Sequence, residues 1–170
     1  MSKIRLGVIG CGGMGSGHVN NILQGKCPEI EVVAVADRRA SRREWAEKNI
    51  PGVQIFSEGK DLIAAKPCDA VLIATPHYQH PVLAKDAMAH GLHVMCEKPI
   101  CHNLEDAIAL KEAVERNGVK FMLAVPLRYG KEAVRARELV DEGVLGEVKL
   151  LECLSWFDDN MAHDVVYLHI

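Results

Sequence analysis

A glycine-rich turn between a strand and a helix constrains the fold of this chain more than any other feature. Residues 4–9 form an apolar run typical of a buried strand, and residues 10–15 then read Gly-Cys-Gly-Gly-Met-Gly. Apolar side chains recur at helical spacing directly afterwards, at Val19, Ile22 and Leu23. A G-x-G-x-x-G pattern that leaves a strand and opens a helix predicts a phosphate-binding βαβ unit.

Each glycine of the motif has a physical task in such a unit. Gly10 permits the tight turn, Gly12 lets the backbone approach a pyrophosphate, and Gly15 lets the helix lie close to the strand. The free N–H groups and the positive dipole end of the helix then face the phosphate. The motif alone leaves a flexible glycine loop as the alternative. The predicted phosphate contacts are Gly10, Cys11, Gly12, Gly13, Met14 and Gly15.

The end of the second predicted strand bears on the choice of dinucleotide. Asp37 follows Gly15 by about 20 positions, as the ribose-binding acidic residue of such units does. Its carboxylate can accept hydrogen bonds from the ribose hydroxyls and repels a 2′-phosphate, which favours NAD over NADP. The arginines that follow leave NADP open, since an arginine near the ribose can hold a 2′-phosphate, although a solvated helix face is the other interpretation. These arginines are Arg38, Arg39, Arg42 and Arg43.

Strand and helix patterns alternate along most of the chain. Further strands are predicted at 30–36, 53–56, 70–74, 92–96 and 120–125, with helices between them at about 39–49, 58–65, 79–90 and 103–117. Nearly unbroken apolar strands are typical of a parallel sheet covered on both faces, so the predicted class is α/β, a Rossmann doubly wound parallel sheet. After Pro126 the pattern changes to a helix at about 131–142 and a long strand at 147–156. We therefore predict a cofactor-binding domain at 1–125 and the incomplete start of an α+β domain at 126–170.

Two further segments follow predicted strands. Residues 74–80 read Ala-Thr-Pro-His-Tyr-Gln-His, and residues 96–99 read Cys-Glu-Lys-Pro. Both belong on the same sheet edge as the glycine turn, because loops beyond the carboxyl ends of parallel strands line the ligand crevice. Lys98 there is a candidate for a partly desolvated amine that exchanges a proton with a substrate hydroxyl. A surface lysine paired with an acid is the alternative.

These motifs, taken in order, resemble the glucose–fructose oxidoreductase and inositol dehydrogenase family (Gfo/Idh/MocA) over residues 4–150. The resemblance implies that Lys98 is catalytic beside the nicotinamide and the substrate, and that Glu97 and Pro99 shape its loop. Family members often carry asparagine where His77 stands. The resemblance also implies cofactor contacts from Thr75, Pro76, His77, His80, Glu97, Lys98 and, from the second domain, Arg128.

The function implied is an NAD(P)-dependent dehydrogenase that oxidises a sugar, an inositol or a related polyol by hydride transfer. Family members have a longer second half that supplies a catalytic aspartate and histidine from a glycine-rich segment. His163, Asp164 and His169 lack such surroundings and are not assigned those roles. We expect a fragment whose strand at 147–156 lacks most sheet partners. The alternatives are a non-catalytic NAD(P)-binding module or subunit, and a domain completed by another chain.

Composition limits the other classes of function. The chain has 170 residues with 49% hydrophobic and 25% charged residues, and its net charge of −3 does not favour nucleic acid as a partner. No apolar run is long enough to span a membrane. The six cysteines include no C-x-x-C pair, which favours reduced thiols and a cytoplasmic location. Cys11 is either a reactive thiol at a helix N-terminus or a passive turn residue. We expect a homo-oligomer if the full second domain is present.

A metal site is not predicted. His93, Cys96, Cys101 and His102 lie close together in the sequence, but their spacing fits no common zinc pattern. Strand alternation would also separate their side chains.

Overall fold

The computed structural model describes residues 2–149, 154–158 and 161–165. The chain divides into two compact units, Met1–Ala124 and Val125–Ile170. The first unit contains the predicted sheet, and the second contains one long helix and a hairpin.

The first unit is built on a six-stranded sheet in which every pair of neighbouring strands is parallel. Its strands are β1 (Ile4–Ile9), β2 (Ile30–Ala36), β3 (Gln54–Phe56), β4 (Ala70–Ile73), β5 (His93–Glu97) and β6 (Phe121–Ala124). Its helices are α1 (Gly13–Leu23), α2 (Ala40–Asn49), α3 (Gly59–Ala65), α4 (His80–Ala89) and α5 (Leu104–Asn117). The predicted Rossmann α/β class is confirmed.

The strand order β3-β2-β1-β4-β5-β6 places the first strand near the middle of the sheet. The chain proceeds outward from β1 to β3, and then returns so that β4 pairs with the other side of β1. Such a reversal opens a crevice beyond the carboxyl ends of the two central strands. The glycine turn follows β1 and the Thr75 loop follows β4, so both lie at this crevice.

Alternate strand residues fill two separate apolar clusters, one on each face of the sheet. Val8, Val35 and Leu72 belong to the cluster that includes Val19 of α1 and Ala46 of α2. Their strand neighbours belong to the cluster with α3, α4 and α5, and these are Ile9, Ala34, Ala36, Val71 and Ile73. Apolar residues in consecutive positions of a strand are therefore explained by burial on both faces.

The boundaries of α5 follow from its capping residues. The Asn103 side chain accepts a hydrogen bond from the backbone N–H of Asp106 at 2.7 Å, so Asn103 is the N-cap of the helix predicted at about 103–117. Gly118 ends the helix in the left-handed region at a φ of 61°.

The second unit corrects one prediction. After a 3-10 turn at Pro126–Tyr129, α6 (Lys131–Asp141) forms, but residues 147–149 are not a strand and 150–153 lie outside the described residues. The strand described is β7 (Leu154–Asp158), and β8 (Met161–Val165) pairs with it in antiparallel register.

Within the described part of the chain, no helix has both the length and the apolar character needed to cross a lipid bilayer.

Candidate functional site

The glycine turn joins β1 to α1 through two close backbone approaches. Gly10 has a φ of +90°, and a Cβ built there would lie 2.7 Å from the carbonyl oxygen of Ala74. A Cβ on Gly15 would overlap the carbonyl oxygen of Gly10. Both glycines are therefore required by the fold, in the two tasks that the sequence predicts for them.

Gly12 and Gly13 are different, because their backbone is open. The nearest atom to a Cβ on Gly12 would be Nη2 of Arg39 at 3.3 Å, and a Cβ on Gly13 would have no neighbour within 4 Å among the described residues. Gly12 is the N-cap of α1 and has no side chain to satisfy the free N–H groups there. This helix end is consequently accessible to an anionic group.

The carboxylate of Asp37 lies against the glycine turn. Its Oδ2 accepts a hydrogen bond from the backbone N–H of Cys11 at 2.8 Å. Its Oδ1 accepts from the backbone N–H of Arg39 at 2.9 Å and from Nε of Arg39 at 3.3 Å. Burial raises the pKa of Asp37, but the hydrogen bonds from Arg39 and Cys11 outweigh burial and lower the pKa below its ordinary value of 3.8. Asp37 is therefore a fixed anion near neutral pH.

A cleft of about 790 Å³ opens beyond β1, β2 and β4. Of the predicted site residues, those that line it are Gly10, Gly12, Asp37, Arg38, Thr75 and Pro76. The segment after β3 forms a second wall, with Ser57, Glu58, Gly59 and Lys60. The 3-10 turn before α4 and α4 itself form a third, with Tyr78, Gln79, Val82, Leu83 and Asp86. A concave site that combines apolar walls with a few fixed polar groups has the character of a ligand-binding cleft.

Three of the four arginines near Asp37 have specific partners. Nε of Arg38 lies 3.0 Å from each carboxylate oxygen of Glu58. Arg39 pairs with Asp37 at 3.3 Å. Nη1 of Arg43 donates to the carbonyl oxygens of Asp37 and Arg38, at 2.8 Å in both cases. These side chains make specific contacts around the turn after β2, while those of Arg38 and Arg39 stay largely exposed, at 69% and 59%.

The hydroxyl of Thr75 indicates that this cleft accommodates a polar ligand. Oγ1 of Thr75 is buried and has no hydrogen-bond partner among the described residues, and Thr75 lines the cleft. Leaving a buried polar group unpaired costs about 1–3 kcal/mol. Together with the open backbone of Gly12 and the fixed anion of Asp37, this hydroxyl fits a dinucleotide that carries phosphate and ribose groups.

A second group of polar side chains lies at the end of β5. Nε2 of His18, on α1, is 2.7 Å from Oε1 of Glu97, which is only 6% exposed. The other carboxylate oxygen, Oε2, accepts the backbone N–H of Lys98 at 3.3 Å. Lys98 itself is exposed, so the partly desolvated setting predicted for its amine is not present within this unit. The Lys98–Pro99 peptide is cis.

His80 does not line the cleft, contrary to the prediction. It is 1% exposed, with Nδ1 2.8 Å from the carbonyl oxygen of Pro99 and Nε2 2.8 Å from that of Thr75. The ring therefore connects the loop after β4 to the loop after β5. His80 lies in the first turn of α4, two residues after the exposed Tyr78. Its side chain faces the protein interior.

The remaining predicted residues have varied positions. Met14 is exposed, and His77 is exposed at the start of a short 3-10 turn; neither lines the cleft. Cys11 is fully buried, and burial, with a smaller contribution from Asp37, raises the pKa of its thiol to about 11, which argues against a reactive thiol. Arg128 lies in the 3-10 turn of the second unit, and its contact with a cofactor stays a prediction.

No group of three His, Cys, Asp or Glu side chains suited to a metal ion occurs in the described ranges 2–149, 154–158 and 161–165.

Sequence reasoning did not select His18 or Glu58. Glu58 follows β3, so the rule that strand ends share one sheet edge was sufficient to find it. His18 comes three positions after Gly15 on α1, and its partner is 79 positions away in the sequence, at Glu97. Only the packing of α1 against the sheet reveals that pair.

A family model described as an oxidoreductase family with an NAD-binding Rossmann fold matches residues 4–125. The chain belongs to the Gfo/Idh/MocA oxidoreductase family. The resemblance that the sequence motifs indicate is thus confirmed, and the first unit is the Rossmann domain of this family.

Several members of the Gfo/Idh/MocA family are similar to this chain. The rhizopine catabolism protein MocA of Rhizobium meliloti is 33% identical over 156 residues, which covers 92% of this chain and 48% of that protein. An inositol 2-dehydrogenase of Corynebacterium glutamicum is also 33% identical over 156 residues, 91% of this chain and 46% of that enzyme. The chain spans about half the length of the curated relatives that it matches.

Solved structures of Gfo/Idh/MocA proteins have the same fold. The scyllo-inositol dehydrogenase of Lactobacillus casei with bound NAD(H) and scyllo-inositol matches with a TM-score of 0.85 and 28% identity, over 91% of this chain and 45% of that chain. The WlbA dehydrogenase of Bordetella pertussis, in complex with NADH and UDP-GlcNAcA, matches with a TM-score of 0.79 and 29% identity, over 85% of this chain and 43% of that chain.

Proposed function

We propose that this chain binds NAD and forms the cofactor-binding part of a dehydrogenase that oxidises a sugar, an inositol or a related polyol by hydride transfer. The observation that carries the proposal is the buried, ionised Asp37 held against an open glycine turn at the edge of a cleft. The family match and the inositol dehydrogenases among the relatives support the cofactor and the substrate class.

The binding step uses groups that are already in position. The N-terminus of α1, with Gly12 as its N-cap, receives the pyrophosphate. Asp37 receives the adenosine ribose, since each carboxylate oxygen has lone pairs beyond those used by Cys11 and Arg39. The hydroxyl of Thr75 supplies a further donor or acceptor inside the cleft. Hydrogen bonds to a charged group contribute about 1.5–3 kcal/mol each, so Asp37 carries much of the recognition.

The chemical step is assigned to the group at the end of β5. When bound, the nicotinamide supplies the hydride-accepting carbon. We assign Lys98, in its neutral amine form, to accept the proton of the substrate hydroxyl at its Nζ and so become an ammonium, and its exposed side chain is accessible for that role. Glu97, fixed by His18, holds the backbone of Lys98 through its N–H and so positions the amine.

Calorimetry with NAD⁺ and NADH tests the binding proposal. We expect the native chain to bind, and Asp37→Ala to weaken binding by about tenfold or more, because a charge-assisted hydrogen bond is lost. Glu112→Ala is the matched control, since Glu112 is an exposed carboxylate on α5 that does not line the cleft. No heat with either nucleotide, for protein that is folded by circular dichroism, contradicts the proposal.

A panel of inositols and sugars with NAD⁺, applied to a form of the protein that spans the full length of its relatives, tests the reaction. We expect NADH formation that is lost in Lys98→Met and retained in Lys48→Met, an exposed lysine on α2. Binding of NAD⁺ without NADH formation from any polyol contradicts the catalytic assignment and supports the alternative of a non-catalytic binding module.

The predicted homo-oligomer and cytoplasmic location belong to this proposal as well. Light scattering on a form with the full second domain tests the first, because the homo-oligomer is predicted for that form, and microscopy of the tagged protein in its own cells tests the second.

A further inference from the structure

We propose that Glu58 is a specificity-determining residue that excludes dinucleotides carrying a 2′-phosphate, by holding Arg38 as a neutralised ion pair. This inference rests on the proposed binding of NAD in the same cleft. Glu58 acts in addition to Asp37, because its carboxylate neutralises the charge of Arg38, which would otherwise attract a 2′-phosphate.

The ion pair lies where a ribose 2′ group would meet it. Arg38 follows Asp37 directly, and Asp37, Arg38 and Glu58 all line the cleft. Nε of Arg38 contacts both oxygens of Glu58 at 3.0 Å. The two side chains are 69% and 36% exposed, so a ligand in the cleft can reach the pair.

Sheet pairing explains why Glu58 stands beside Asp37. The last residues of β2 and β3, Ala36 and Phe56, are register partners in the parallel sheet. The backbone N–H of Asp37 also donates to the carbonyl oxygen of Phe56 at 3.3 Å. The residues that follow the two strands therefore emerge side by side, which brings the carboxylates of Asp37 and Glu58 to one edge of the cleft.

Arg38 keeps the groups that bind a phosphate. Its contact with Glu58 uses Nε, and neither Nη group donates to another residue in the described part of the chain. A guanidinium binds phosphate oxygens through pairs of such donors. Arg38 thus has suitable geometry for a 2′-phosphate, and the adjacent carboxylate opposes its use.

The other basic groups do not replace Arg38. Arg39 is paired with Asp37, while Arg42 and Arg43 do not line the cleft. Lys60 also lines the cleft, which therefore has three basic side chains, Arg38, Arg39 and Lys60. Three acidic side chains, Asp37, Glu58 and Asp86, balance their charge. Neutralising Glu58 alone gives the cleft a net positive charge and leaves Arg38 uncompensated.

The test compares NAD⁺ and NADP⁺ binding to the 170-residue chain by calorimetry, before and after Glu58→Gln. We expect the ratio of NADP⁺ to NAD⁺ affinity to rise about two- to fivefold in the variant, as for the removal of an exposed ion-pair charge. Glu112→Gln, which removes the same charge from α5, should leave both affinities unchanged. An unchanged ratio of NADP⁺ to NAD⁺ affinity in folded Glu58→Gln overturns the inference.

Two further variants separate this role from a structural one. Arg38→Gln should weaken NADP⁺ binding, because it leaves the Glu58 carboxylate uncompensated in the cleft, whereas adding it to Glu58→Gln should abolish the gain. The gain should also shrink as salt is raised. Tighter NADP⁺ binding in Arg38→Gln, or a gain that persists without Arg38 or at high salt, overturns the inference.

The outcome is distinguishable from failure of the proposed function. If the native chain binds NAD⁺ and Glu58→Gln leaves the NADP⁺ preference unaltered, only the role of Glu58 is wrong. If the native chain binds neither dinucleotide, the proposed function fails and the inference fails with it.

Discussion

Two glycines one helical half-turn apart on α1 have opposite structural requirements. A side chain on Gly15 would collide with the carbonyl of Gly10, while a Cβ on Gly17 would have no neighbour within 4 Å in the described structure. Gly17 is exposed in the middle of the helix, where glycine only adds flexibility to the unfolded chain.

We expect Gly17→Ala to raise the free energy of unfolding by about 0.5–1 kcal/mol, because alanine has the higher helix propensity. We expect Gly15→Ala to lower it, since the turn must move to make room. Urea denaturation of the two variants and the native chain measures both effects. A destabilised Gly17→Ala would show that α1 needs conformational freedom at this position.

The Asp37 carboxylate gives stability a defined pH dependence. Its pKa is lowered in the folded state, so its stabilising contribution is complete above its ordinary pKa of 3.8 and is lost as the pH falls through the lower folded value. We expect the free energy of unfolding to fall in acid less steeply for Asp37→Asn than for the native chain. Urea titrations near neutral pH and below 3.8 measure the difference. Parallel acid profiles for the two proteins would contradict the assignment.

At the scale of elements, His80 holds together the loops that follow β4 and β5. Two carbonyl oxygens, from Thr75 and Pro99, each lie 2.8 Å from one of its ring nitrogens. The same two loops carry the orphaned hydroxyl of Thr75 and the exposed Lys98. The distance between the cleft and Lys98 is therefore set partly by one buried imidazole.

We expect His80→Leu to lower the free energy of unfolding by about 1–3 kcal/mol, because a partly buried carbonyl oxygen loses the ring N–H that donates to it. His80→Gln, which keeps a donor, should lose less, and His102→Leu serves as the control at an exposed position. Chemical denaturation compares the three variants. Equal stability of His80→Leu and His80→Gln would indicate that packing alone holds the loops.

The sequence predicts the elements of the first unit well and its side-chain directions less well. Apolar runs and capping residues such as Asn103 locate strands and helices because both depend on local spacing. Partners such as His18 and Glu97 are 79 positions apart and depend on how helix and sheet pack. In the second unit, the pairing of β7 with β8 was missed because the predicted strand ended at residue 156 and no element was predicted after it.

At the scale of the whole molecule, the cleft lies beyond the carboxyl ends of the central strands. The two faces of the sheet are covered by separate apolar clusters. A ligand there contacts the segments that follow β1, β2, β3 and β4, together with α4. Binding therefore stabilises many elements at once.

We expect NAD⁺ at about 100 times its dissociation constant to add about 2.7 kcal/mol to the free energy of unfolding of the native chain. The addition should be smaller at the same nucleotide concentration for Asp37→Ala, whose affinity is reduced. Thermal denaturation with and without nucleotide measures both, and Glu112→Ala should behave as the native chain does. A melting temperature unmoved by saturating NAD⁺ contradicts binding to the folded state.

The central position of the first strand also has a consequence for synthesis on the ribosome. β1 emerges first, yet it pairs with β2 on one side and with β4 on the other. The nascent chain thus carries an apolar strand with one open edge until residues 70–73 have left the exit tunnel. During that interval the unpaired N–H and C=O groups of the edge can pair with another strand, and arrival of β4 closes it.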